Sequence, residues 1–389
     1  MQQTRGVVVA VTLVTLLTGV PTALASDPVR SAVDAQVAFN PGGGDVHCGD
    51  TLTQHTKLTH DLDCPATAPF ALRVAGDGIV LDLGGHTVRR TGPEPLSSRG
   101  ILVEANSMVR NGTVRGFFIG IVSQPGTGQL RLHKLALLGN GFAVVNRSST
   151  RFLITECFVS GNGTGLTGEV EMSSGSFDVR ASVFTHNEHA AFLYYHSLDV
   201  LDSIFTSNGD VFNCVDGNVR FRSSTLAWNT AVGGSQADLV GPLFCSELRF
   251  ENTLIANNAA LATTLEWQPL KLSMINSWVV SNGTGLQAAI ETVYIDGNTF
   301  FDNAGGLTLS DRPAYVPYPL IGIVRGNQFL SNDGDGLRVP EPNTPTLIRN
   351  VALHNTGFGI YAPAAFDGGG NVARDNGAGN CVGIHCAPY

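Results

Sequence analysis

The chain has 389 residues, of which only 14% are charged, and its formal net charge is −9. So acidic and charge-poor a chain offers no basic face for phosphates, which excludes nucleic acid as its partner. Its 46 glycines, with many Asn, Ser and Thr, favour turns and strands over helices.

The first predicted element is N-terminal. One positive charge in residues 1–5 precedes an apolar run at 6–20, and Ala23 and Ala25 form a small-residue site before Ser26. This pattern predicts a secretory signal peptide over 1–25, too short for a membrane anchor. The expected product is a secreted, extracellular monomer with a flexible leader over 26–44 and a single domain over 45–389. In an oxidising compartment its cysteines read as disulfide partners. Cys48 and Cys64 bracket the start of the domain, and Cys381 and Cys386 bracket its end, where their loops would tie down caps. Cys214 and Cys245 are the other two disulfide cysteines, and the sequence leaves their pairing open.

Further along, an asparagine recurs: Asn140, Asn162, Asn187, Asn208, Asn229, Asn258, Asn282, Asn303, Asn332, Asn355 and Asn376, at intervals of 21 to 29 residues. Three residues before each of the first ten anchors the residue is apolar, as in Phe184, Phe205 and Leu226. Eight before, it is again apolar, as in Val179, Val200 and Phe221. Five before, it is mostly small and polar, as in Ser182, Ser203, Ser224 and Asn298; Cys157 falls in this column and reads as a buried small residue, not a nucleophile.

Three short apolar segments per unit are strands, and no unit can bury its apolar face alone. Stacking units about 4.8 Å apart solves this. The fold predicted is an all-β, parallel β-helix solenoid of about 12–13 coils. The asparagine would take the left-handed turn position and bond to its equivalents above and below. The sequon "NGT" occurs at Asn111, Asn162 and Asn282, but the latter two are ladder positions facing inward, so those matches read as accidental.

The variable intervals carry insertions after the strand that follows the asparagine, around residues 167–176, 230–245, 261–271 and 310–320. They should emerge at one corner and wall a groove, with Trp267, Tyr315 and Tyr318 either stacking on sugar rings or packing the loops. Beside this corner Arg220 and Arg249 occupy one outward column and Arg222 a neighbouring one. Stacked like charges repel, so the arginines either bind an anion such as a uronate carboxylate or pair with Asp199 and Glu251.

The densest polar cluster runs from Glu188 to Arg222 and includes His189. Alternation turns Tyr194 and Asn213 outward and puts His196 and Asp216 at strand ends. In a lyase, Tyr194 or His196 would remove the proton beside a uronate carboxylate that Arg220 neutralises. In a hydrolase, Asp210 and Asp216 would be acid and base. Asn213, Arg220, Arg222, Arg249 and Trp267 are the binding candidates. Calcium is the one cofactor the sequence admits, at Asp333 and Asp335 of "SNDGDG", where turn chemistry also accounts for both residues.

The repeats, with "GIVLDLGGHTV" (78–88) and the coil "GILVEANSMVRNGTVRGFFIGI" (100–121), resemble the right-handed parallel β-helix, pectate-lyase-like superfamily, most of all its secreted β-helix-repeat members. That resemblance implies action on acidic or neutral polysaccharides by lyases, hydrolases or epimerases. The polygalacturonase motifs and the pectate-lyase signatures are absent, so no catalytic residue carries over. Two functions remain: an extracellular polysaccharide lyase or glycoside hydrolase, and a non-catalytic glycan-binding surface or matrix protein.

Overall fold

The computed structural model describes residues 45–65, 67–92, 97–168, 174–233, 245–263, 271–310 and 319–387. The expected signal peptide and leader, and Trp267, Tyr315 and Tyr318, lie outside the described residues. Among the described residues all regular structure is strand, wound into a parallel β-helix of about 13 turns.

A coil contributes three strands, one to each of three faces. In one coil they are Ser176–Arg180, Val183–Thr185 and His189–Tyr194; in the next they are Ser197–Leu201, Ile204–Thr206 and Asp210–Val215. We call these the long, short and third faces. Each strand pairs in parallel with its equivalent one coil on, so that Val179 meets Val200, Phe184 meets Phe205 and Leu193 meets Cys214. The third face is a nine-stranded sheet followed by a six-stranded one, joined by a bridge between Ala231 and Ala260.

The apolar columns point inward as predicted. Phe184 and Phe205 stack with parallel rings 4.6 Å apart, and Leu226 follows Phe205 in register. Phe152–Phe177, Phe221–Phe250 and Phe300–Phe329 repeat the stacking at 5.1 to 5.8 Å. Fully burying one such ring contributes about 1.5–3 kcal/mol.

Between the short and third faces runs the asparagine ladder. Asn187 Nδ2 donates to Asn208 Oδ1 at 3.0 Å, Asn208 Nδ2 to Asn229 Oδ1 at 3.0 Å, and so on to Asn376. The same Oδ1 also accepts the preceding anchor's backbone N–H, while Nδ2 reaches a carbonyl of an earlier short strand, as Asn208 does to Phe184 O at 3.1 Å. Every polar atom of the amide is thereby used, which buried amides require. The left-handed residue is not the anchor but the one before it: His186, Ser207, Trp228, Asn257 and Ser281 all have φ between 51° and 62°. The expected position was off by one, because the anchor amide works from an ordinary backbone conformation and its predecessor makes the bend.

A second ladder occupies the column five before the anchor. Ser182, Ser203 and Ser224 are linked by backbone N–H to hydroxyl bonds of 3.1–3.2 Å, and Asn298, Asn327, Asn350 and Asn371 by amide bonds. Cys157 stands in this ladder, fully enclosed, its N–H on Ser182 Oγ at 3.1 Å. Burial pushes its thiol up to about 12. Asn162 and Asn282 are buried in the first ladder.

The disulfides are Cys48–Cys64, Cys214–Cys245 and Cys381–Cys386, a set compatible with an oxidising, extracellular compartment. The third-face strands ending at Gly168, Gly233, Thr263 and Ser310 each precede one of the insertions.

Candidate functional site

The proposed catalytic cluster is dispersed by the fold. His196 is 0% exposed. Its ring lies 6.1 Å from that of Phe177, and Nδ1 bonds to the Tyr194 carbonyl. Gly168 and Gly175 make the room: a Cβ at either would overlap the imidazole. His196 stands just past its strand's end, as expected, but its enclosure corrects the expectation that it could take a proton from a polysaccharide. Tyr195 takes a left-handed conformation, φ 53°, and turns the chain so that the next residue points inward.

Asp210 and Asp216 also part company. Asp210 opens its strand and Asp216 is the turn residue beyond its far end, at φ 55°. The five steps of about 3.3 Å from Asp210 to Val215 alone span roughly 17 Å, well beyond the roughly 5–9.5 Å between the carboxyls of a glycosidase pair. They are no acid–base couple.

Arg220, Arg222 and Arg249 lie on the long face, separated by a corner from Tyr194 and Asn213. Arg220 and Arg249 stack in register and share Glu251, with Arg220 Nη2 at 3.0 and 3.1 Å from its oxygens and Arg249 Nε also bonded. Arg222 holds Asp199 at 2.9 and 3.0 Å. Burial pushes the Glu251 carboxyl up, but the two guanidiniums outweigh it and hold it below the usual range. Of the two readings of these arginines, the structure has carboxylate pairing. Asp335 is likewise committed, accepting from Phe358 N at 2.7 Å and from Arg338 at 2.8 Å, while Asp333 accepts from Thr356. Among the described residues no group of three His, Cys, Asp or Glu is placed to hold a metal.

What the fold does assemble lies where the third face meets the asparagine corner. His189 and Asp210 begin neighbouring third-face strands and pair in register. His189 Nδ1 is 2.7 Å from Asp210 Oδ2, with the histidine side chain 23% exposed and the carboxylate 1%. Asp210 Oδ1 is buried without a hydrogen-bond partner. Along the same strand Phe192 packs between His189, at 6.2 Å, and Tyr194, at 5.0 Å. Asn213 stacks on Phe192 and is almost covered.

One coil beyond Asp210 an open groove begins on the corner itself. It is lined by Trp228, Thr230, Asn257, Ala259, Ser281 and Gly283, with ladder residues Asn229 and Asn258 as its floor. Trp228 is 58% exposed and occupies the left-handed position with φ 62°, which is unfavourable for a residue with a Cβ by about 1–2 kcal/mol.

Sequence reasoning gave His189 no role and passed over Trp228. Both have a signal. His189 and Asp210 each stand two residues after an anchor and 21 residues apart, which is one coil. Trp228 is the aromatic exception in a column otherwise of Gly, Ser, Asn, Asp and His.

No protein-family model and no curated protein matches the chain. Among solved structures, the chain is similar in fold to the catalytic unit of the thermostable GH87 alpha-1,3-glucanase from Streptomyces thermodiastaticus strain HF3-3, at 10% identity, with 88% of this chain and 66% of that chain covered and a TM-score of 0.44. The chain thus spans just under two thirds of that structure's length.

Proposed function

We propose that this is an exported β-helix protein that binds extracellular polysaccharide along the asparagine corner. One observation carries the reading. Trp228 keeps an indole in water, on a strained backbone, above a groove of amides and hydroxyls. More than half of the Trp228 surface is open to a ligand, and a strained backbone position with an exposed aromatic ring is a reason to look for function there. The carbon-bound hydrogens of a pyranose ring suit the indole face, and its hydroxyls suit Thr230, Asn257 and Ser281. Affinity electrophoresis through gels cast with soluble polysaccharides tests this: the protein is retarded, and Trp228→Ala restores free mobility. Equal mobility in every gel would remove the reading.

A second reading adds catalysis, and the His189–Asp210 pair favours it. A buried carboxylate that orients a partly exposed imidazole is the arrangement of a proton acceptor. Release of reducing ends or of ultraviolet-absorbing unsaturated product distinguishes this from binding alone.

A further inference from the structure

Resting on the glycan reading above, we infer that the ligand of the asparagine corner is a neutral polysaccharide and not a uronate. The argument is one of charge along the axis. The two columns flanking the anchors, from Gly139 to Asp375 before them and from Gly141 to Gly377 after them, contain no Lys or Arg in any coil. They do contain four carboxylates, Glu188, Asp302, Asp333 and Asp375.

The groove itself is uncharged: Trp228, Thr230, Asn257, Ala259, Ser281 and Gly283. A carboxylate stands at one end: Asp302, one coil above, accepts from Ser281 Oγ at 3.0 Å. At the other end Asp210, one coil below, is buried against His189. The arginines that would recognise a uronate are on the long face, already held by Glu251 and Asp199. An anionic chain laid on this corner would meet these carboxylates and no Lys or Arg, the titratable bases of the two columns being His186 and His354 outside the groove, whereas a neutral chain needs only stacking and hydroxyl bonds.

The test uses the full chain against soluble β-glucan, arabinoxylan and galactomannan on one side and polygalacturonate and alginate on the other, in affinity gels and by calorimetry. At least one neutral polysaccharide is expected to bind, with a Kd that rises tenfold or more in Trp228→Ala, is restored in part by Trp228→Phe, and changes little between 50 and 300 mM salt, conditions under which ion pairing would be screened. The uronates should not bind. Ala259→Arg, which adds a cation at an exposed groove position, is expected to gain polygalacturonate binding that salt abolishes. Thermal melts of each variant matched to wild type show that folding is intact. Polygalacturonate or alginate binding the wild type at least as tightly as every neutral chain overturns the inference while the glycan reading stands. Binding to a neutral chain that Trp228→Ala leaves unchanged overturns the corner as its seat. Failure of every polysaccharide overturns the glycan reading and this inference with it.

Discussion

Asp210 sets one carboxylate oxygen 2.7 Å from the imidazole of His189, one coil away, and leaves the other buried with no partner. Stacking alone brings the two together, because both residues follow a ladder asparagine by two positions. If the protein turns over its glycan, Asp210→Asn is expected to lower kcat by a factor of about 10²–10⁴ with KM little changed, since the imidazole loses its orienting acceptor but the groove is intact. Single-substrate kinetics on Asp210→Asn and His189→Gln check this; unchanged turnover in both would remove the pair from any mechanism.

The ladder predicts a gradient of stability. Asn208 donates to Asn229 and Phe184 and accepts from Asn187 side chain and backbone. Asn208→Ala leaves several buried groups unpaired at about 1–3 kcal/mol each, so a loss of about 3–5 kcal/mol is expected. Asn376 ends the ladder, partly exposed, on Asn380, and Asn376→Ala should lose about 1 kcal/mol. Urea denaturation of both variants measures the difference, and equal losses would mean that the amide bonds do not act through burial.

How much of this was legible follows from what periodicity can carry. The inward columns, the ladder and the corner from which the insertions leave all repeat, so intervals between asparagines reveal them. Phe184, Phe205 and Leu226 needed only counting. His196 did not repeat: its burial depends on the missing side chains of Gly168 and Gly175 and on the turn at Tyr195, which reset the side-chain direction. Asp210 and Asp216 are close in sequence, but an extended strand carries them apart. Arg220 and Tyr194 are 26 residues apart, a little over one coil, and a corner separates their faces.

Cys157 provides a probe of opening. Burial pushes its thiol up to about 12, so the reactive thiolate is scarce at pH 8, and access is closed as well. Native protein is expected to resist iodoacetamide over hours at pH 8, with modification appearing only as denaturant unfolds the coils. Mass spectrometry of the alkylated peptide reports this. Rapid labelling without denaturant would show that the coil around Cys157 opens locally.

The paired arginines make stability depend on pH in a defined direction. Burial pushes the Glu251 carboxyl up, but the bonds from Arg220 and Arg249 together outweigh it and hold the folded chain's carboxyl below the ordinary 4.5. The unfolded chain therefore binds the proton more tightly, and the stabilisation is present above about pH 4.5 and is lost as pH falls through the lower folded value. Glu251→Gln removes it at every pH and leaves Arg220 and Arg249 stacked without their shared carboxylate. Because both guanidiniums are more than a third exposed or close to it, solvent screening limits the loss to about 1 kcal/mol at pH 7. Denaturation midpoints measured from pH 7 to pH 3 should show variant and wild type separated at neutral pH and converging below pH 4.5. Curves that stay parallel throughout would mean that the carboxylate holds no advantage in the folded state, and that the two arginines tolerate each other without it.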